Sequence, residues 1–425
     1  MPSSPTPLPN FIQALQFWVK LGFISFGGPA GQIAVMQHEL VDRRQWFAQE
    51  AFLQALNFCM LLPGPEAQQL ATYLGWKLHG LKGALAAGIL FVLPGALILY
   101  GLAWIAAAHG DTAFIGAAFN GLKPVVVALV FHALWRIGRR TLTNGVAISL
   151  ALAAFAAVEF AGIPFPLVVL AAGLIGWLRA RRQAQKQEQG LNAALPEALR
   201  GRAAATRLLR MLLTYLALLI VPVGVVIALA GPAPFLALAR FFTQAALVTF
   251  GGAYAVLPYV ADAAVNDFQW LSPGEMMNGL ALAETTPGPL ILVLQYVGFF
   301  AGWNAPGTLS PITAATLGAV VTTYATFLPS IFLILMGAPY VEHLARVKTA
   351  AGALSAITAA VVGVIATLGI FFARQVALAS DGTVDVVAGL AAAIAFIALL
   401  RLKGGLHWVV LAGILFGLAR SEFGF

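Results

Sequence analysis

The sequence predicts an all-α polytopic membrane protein, built from two inverted-topology repeats with broken, re-entrant helices and about 9–13 membrane segments. Three observations lead there. Of 425 residues, 60% are hydrophobic and 9% charged, at a mean hydropathy of +0.89, which no water-facing surface tolerates. The same short motifs occur twice along the chain at one spacing. Each motif places Gly and Pro inside an apolar run, where an unbroken helix cannot continue.

In chain order, MPSSPTPLPN lacks a basic region ahead of an apolar core, so the transmembrane helices themselves are expected to direct insertion. Residues 11–40 are apolar to Phe26, break at Gly27-Gly28-Pro29 and resume. Each arm has about ten to fourteen residues, roughly 15–20 Å of helix, enough to reach the bilayer middle only. A charged loop at 38–50 carries Arg43 and Arg44, and the run 51–78 breaks at Pro63-Gly64-Pro65. Spans are predicted near 84–108, 113–135, 145–161 and 164–178. Residues 179–210 hold eight Lys/Arg against Glu188 and Glu197, the composition of a cytoplasmic linker. An extra span at 211–230 precedes the second pass.

A shift of 224 residues, the step from Phe17 to Phe241, also pairs Phe26-Gly27-Gly28 with Phe250-Gly251-Gly252. It pairs Gln45-Trp46 with Gln269-Trp270, and Pro63-Gly64-Pro65 with Pro287-Gly288-Pro289. Three motifs in one register mark an internal duplication. The organisation is therefore a first repeat at 1–178, a basic linker at 179–210 and a second repeat at 211–425 that includes the extra helix. Pro29 of the first copy becomes Ala253 in the second.

Charge orients the copies. Arg43/Arg44, Lys77/Lys82, Arg136/Arg139/Arg140 and the linker are expected in the cytoplasm. The loops equivalent to the first two, 261–275 and 303–311, are acidic or uncharged and belong outside, so the repeats run antiparallel. The net charge of +8 reflects such cytoplasmic loops rather than nucleic-acid binding. With Cys59 the only cysteine, neither a disulfide framework nor a cysteine metal cluster is expected. No HExxH, GxSxG or phosphate-loop pattern occurs, so neither an enzyme nor a cofactor is expected.

The segments FISFGGPAGQIAVMQHELVDRRQWF and LLPGPEAQQLATYLGW, followed by FGGAYAVLPYV and ALAETTPGPLILVLQYVGF, resemble the chromate ion transporter family in its long, two-domain form. The similarity covers nearly the whole chain, the linker least. The resemblance implies efflux of chromate, a divalent tetrahedral oxyanion, across the bacterial inner membrane, coupled to the proton motive force. Alternatives kept open are transport of another oxyanion, sulfate above all, and a passive anion channel. Expected partners are the anion, protons and the bilayer, with homodimerisation left open.

A dianion must exchange its hydration shell for protein donors and still leave. Helix N-terminal amides with one or two cations meet that need. The breaks supply Gly27, Gly28, Gly251 and Gly252, and Pro63, Gly64, Pro65, Pro287 and Gly288, which pseudo-symmetry gathers near the midplane. In membrane helices such residues also serve close packing. Ser25, Gln68, Thr249, Thr285 and Thr286 are neutral donors beside the breaks, equally suited to bonding neighbouring helices. Lys123, about ten residues into its span, is read as a substrate counter-charge or as half of a structural pair; Lys20 has the same two readings. Glu66 and Glu284 flank the two Pro-Gly-Pro motifs and are read as proton-coupling groups, because an ionised carboxylate there opposes a dianion. For Glu66 the alternative is an acid favoured by its helix dipole.

Overall fold

The computed structural model describes residues 8–26, 28–187, 202–338, 341, 348–378, 384–402 and 405–423. Asn10 opens α1 (Phe11–Ile24): its side chain accepts from the Gln13 amide at 2.9 Å, and Gln13 returns a bond to the Asn10 amide. The chain leaves the helix at Ser25, and Gly28, at φ +69°, starts α2 (Gly28–Gln37). A π-helical turn (His38–Arg43) then leads to α3 (Gln49–Leu61). Beyond the Pro63–Pro65 corner, α4 (Glu66–His109) bends where His79 and Gly80 leave helical dihedrals, which separates arms at 66–78 and 81–109. Three helices complete this half: α5 (Ala113–Thr141), α6 (Gly145–Glu159) and α7 (Phe165–Gln187).

The second half follows α8 (Arg202–Ala230). It contains α9 (Phe235–Leu247), α10 (Ala253–Asp262), a π turn (Ala263–Asp267), α11 (Pro273–Thr285) and a 3-10 turn (Leu290–Leu292). Next come α12 (Val293–Asn304), α13 (Pro311–Gly337), α14 (Lys348–Ala377), α15 (Val386–Arg401) and α16 (Leu406–Phe423). These sixteen helices make the described chain all-α. Six of them are long and apolar enough to cross a membrane. By contrast α1, α2 and α3 have 14, 10 and 13 residues, short of the ~20 a crossing requires, as re-entrant arms must be.

The duplication extends to the backbone. Gln45 and Gln269, one repeat step apart, are the two positive-φ residues other than glycine among those described, at φ 53° and 51°. The Trp46 amide donates to Leu40 O at 2.8 Å, and the Trp270 amide to Ala264 O at the same distance. The side-chain pocket beside this turn is filled differently in each copy. The Arg44 guanidinium lies 5.1 Å from the Phe17 ring and 5.0 Å from Trp46, whereas Phe268 stacks on Trp270 at 4.3 Å and meets Phe241 at 5.5 Å.

Between long helices the packing depends on small residues. A Cβ on Gly121 of α5 would stand 2.1 Å from the Gly413 carbonyl of α16, so only glycine permits this backbone approach. The sequence-derived linker 179–210 is helical at both ends, with α7 reaching Gln187 and α8 starting at Arg202 rather than near 211; its middle lies outside the described residues. Gly27 lies outside them too.

Candidate functional site

At the two Pro-Gly-Pro corners, Gly64 and Gly288 take φ +127° and +99°, dihedrals that exclude side chains. Neither glycine amide is free. Gly64 donates to the Thr249 carbonyl at 2.7 Å, and Gly288 donates to the Ser25 carbonyl at 2.8 Å. Each corner is thereby latched to the Gly-Gly break of the opposite repeat, as a pseudo-two-fold requires. The Gln69 amide donates to Pro63 O at 2.7 Å, and that of Gln32 to Gly288 O at 2.5 Å. Pro63, Pro65 and Pro287 have no N–H to offer.

The neutral donors beside the corners are largely committed to local bonds. Thr249 donates to Ala245 O at 2.6 Å, Thr285 to Leu282 O at 2.9 Å and Thr286 to the same carbonyl. Gln68, fully buried, donates to Thr72 Oγ1 at 3.1 Å, while its Oε1 and the Ser25 hydroxyl oxygen are buried with no hydrogen-bond partner.

The Gly-Gly breaks have a different character. A Cβ built on Gly252 would lie 3.7 Å from Pro29, so the N-termini of α2 and α10 meet. Gly251 faces Thr358 of α14, with 3.5 Å between its Cβ position and the hydroxyl oxygen. Gly28 faces Arg136 of α5, at 3.9 Å from Nη2. Ala253 and Tyr254 open α10 with amides that have no backbone acceptor among the described residues. Two helix N-termini and a guanidinium therefore converge on one point, an arrangement that attracts anions.

The carboxylates divide. The Tyr254 hydroxyl donates to Glu284, and the charge of Arg136 acts on both of these side chains. Glu284 thus belongs to the Gly-Gly centre, joined to it by the first turn of α10. Glu66 is the first residue of α4 and has no hydrogen bond or ion pair among the described residues.

Lys123 lies elsewhere. Its Nζ donates to Asn120 Oδ1 at 2.7 Å and stands 3.9 Å from the Cβ position of Gly274, in the first turn of α11. Glu284 is in the last turn of that helix, roughly 15 Å away along its axis. Lys20 takes the structural reading, pairing with Glu39 at 3.4 Å; Arg43 and Arg44 bind the same carboxylate at 2.9 and 3.2 Å.

Arg136 escaped the sequence reading because it stands beside Arg139 and Arg140 and was grouped with them as a cytoplasmic cluster. A signal did exist. Val125, Leu129, His132 and Arg136 follow one another at helical spacing on one face of α5; Val125 and Leu129 are buried, whereas Arg139 and Arg140 are exposed.

The chromate transporter family pattern matches residues 12–177 and 236–418, one block in each repeat. The chain belongs to the chromate transporter family. It is 32% identical over 343 residues to a chromate transport protein of Pseudomonas aeruginosa, covering 77% of this chain and 72% of that protein. A probable chromate transport protein of Synechococcus elongatus is 27% identical, over 79% of this chain and 78% of its own length. The chromate transport protein of Cupriavidus metallidurans is 25% identical, over 94% and 90%. No solved structure matches the chain. In this member of the family, Gly28, Gly252 and the first amides of α10 converge beside Arg136, and Tyr254 links them to a carboxylate through one hydrogen bond.

Proposed function

We propose that the chain is a secondary transporter that exports chromate from the cytoplasm, driven by the proton motive force. The observation carrying this reading is the meeting of the α2 and α10 N-termini beside Arg136. A tetrahedral dianion set there receives amide donors from both repeats and a guanidinium from α5, without being enclosed by fixed opposite charges. Rocking of the repeats about this point exposes it to one side and then the other.

Loading from the cytoplasm is supported by the basic group around Glu39. Lys20, Arg43 and Arg44 outnumber their single carboxylate and stand at the end of the first repeat where positive residues concentrate. Helix α3 exposes Gln54 and Asn57, whereas its equivalent in the second repeat, α11, exposes no residue. Coupling rests on Glu284. Its proton and the bound dianion favour each other, a reciprocal linkage, so the pair leaves with net charge −1 and the inside-negative membrane potential is the component of the proton motive force that drives export. Glu66 is the second candidate for this role. The protein resides in this reading in a bacterial inner membrane, with repeats at 1–178 and 211–425 inserted antiparallel and joined by the 179–210 linker. No catalytic step is involved.

The test is chromate uptake into inverted vesicles, with and without an imposed pH gradient and with sulfate as competitor. Accumulation against a chromate gradient that collapses with the proton motive force is the expected result. Flux that only follows the chromate gradient would identify an anion channel, and tighter inhibition by sulfate than by unlabelled chromate would make sulfate the substrate.

A further inference from the structure

Helix α8, which has no counterpart in the duplication, stands off the body of the protein. Two contacts fasten it to α13: the Tyr324 hydroxyl donates to Leu218 O at 2.6 Å, and the Tyr215 and Phe332 rings lie 5.4 Å apart. Between α8, α13 and the 81–109 arm of α4 runs a cavity of about 970 Å³. Its walls are apolar, with Ile89, Leu93, Val320 and Phe327 among them, and it contains no acidic residue.

The direction of the cavity follows from its contacts. Helix α12 runs parallel to α4, with Gln295 on Ala96 O and Phe299 against Tyr100, and antiparallel to α13, with Gly298 against Gly318 and Gly302 against Ala314. Helices α4 and α13 are therefore antiparallel, with Tyr100 bonding Thr316 at 2.7 Å at one end of the cavity and Leu81 and Leu335 at the other. As α8 advances from Tyr215 to Leu218, its partners on α13 recede from Phe332 to Tyr324, so Arg210 lies at the Leu81 and Leu335 end. The exposed Lys82 follows Leu81, and Arg210 has no carboxylate partner among the described residues. One end of an apolar cavity thus carries a cation, Arg210. Along α4 the lined stretch from Leu81 to Tyr100 is about 28 Å, close to the ~30 Å hydrocarbon thickness, while α8 lines only the part from Arg210 to Leu218, about 12 Å at the Arg210 end.

We infer that this cavity binds an anionic phospholipid of the cytoplasmic leaflet, with its phosphate at Arg210 and its acyl chains between α8, α4 and α13. The length accommodates extended acyl chains, the walls fit hydrocarbon, and the cationic end selects a negative headgroup. The lipid fills the space that α8 leaves open and fixes this helix against α13.

The experiment uses the full chain purified in detergent, titrated with phosphatidylglycerol or phosphatidylcholine, with native mass spectrometry to count retained lipid and thermal unfolding to read stabilisation. Phosphatidylglycerol is expected to be retained and to raise Tm. Arg210→Ala is expected to weaken its retention by about fivefold, the effect of one basic side chain at an anionic surface, while Arg210→Lys keeps most of it. Val320→Trp, which fills the cavity, should displace lipid of both kinds. Equal retention of phosphatidylcholine, or full retention by Arg210→Ala, overturns the proposal. So does a cysteine at position 320, in a Cys59-free chain, that crosslinks two copies in the membrane, because a second chain then occupies this face.

Discussion

The Gly64 amide donates to the Thr249 carbonyl at 2.7 Å, and its equivalent, Gly288, donates to Ser25 at 2.8 Å. Each repeat thus closes a helix break in the other, and the packing around these bonds differs between copies. A Cβ on Gly64 would lie 2.2 Å from Ser330 Oγ, whereas Gly288 packs against Gly95, the residue equivalent to Ser330. Gly64→Ala should therefore cost about 1–3 kcal/mol in backbone strain plus the clash with the hydroxyl. Adding Ser330→Gly should restore part of the lost Tm. No recovery in the double variant would mean that the hydroxyl is not what limits this corner.

Arg136 and Lys123 are both cations in α5, but only Arg136 faces a Gly-Gly break. Arg136→Gln is expected to raise the KM for chromate by about 10–100-fold, the range for losing a charge-assisted hydrogen bond, and Arg136→Lys by less. Lys123→Gln should have the smaller effect, because its ammonium is bonded to Asn120 near the far end of α11. Vesicle uptake kinetics decide this; the reverse ranking would return the counter-charge to Lys123.

For Glu284 the sign of its charge sets the outcome. Glu284→Gln fixes the neutral form, so the variant should exchange chromate yet lose its response to an imposed pH gradient. Tyr254→Phe removes the hydroxyl that donates to Glu284 and should shift the pH profile of transport without abolishing it. If Glu284→Gln still drives export across pH 6–8 like the parent, coupling passes to Glu66.

Asp385 gives a stability test outside the membrane. Burial opposes its ionisation, but the Ala388 amide at 2.9 Å and the Arg420 guanidinium at 2.7 Å outweigh that and hold its carboxyl below the usual aspartate range. A lowered folded value means that the stabilisation is complete above aspartate's ordinary pKa and is lost as pH falls through the lowered one. Asp385→Asn keeps a capping oxygen and should cost up to ~1 kcal/mol at neutral pH; Asp385→Ala should cost about 1 kcal/mol more. The gap between parent and Asp385→Asn should close as pH drops below about 4, measured by thermal unfolding.

The pocket filled by Arg44 in one repeat and Phe268 in the other bears on orientation, since a cation suits the cytoplasmic face. In a Cys59-free background, a cysteine at 267 should react with an impermeant reagent from outside, and one at 43 only from the cytoplasm. Labelling of both from one side would contradict antiparallel insertion.

Much of this architecture was legible in the residues. Mean hydropathy and short apolar arms mark a helical membrane protein, and Gly and Pro mark where helices stop, because both are local properties of the chain. A single register linking Gln45 to Gln269 and Gly64 to Gly288 revealed the duplication, and the backbone repeats it in its dihedrals. What the tertiary structure alone decided is which donors remain available. The Pro-Gly-Pro amides look free in sequence, yet Gly64 and Gly288 are consumed by carbonyls of the opposite repeat, while the Gly-Gly ends meet at Pro29 and Gly252. Arg136 and Lys123 are told apart in the same way: depth along a span can be read from position, but that Arg136 faces Gly28 and Lys123 faces Asn120 and Gly274 depends on the helices packed against α5. Hydrogen-bond saturation and electrostatic partnership are relations between distant segments, so they exist only once the two repeats have closed on each other.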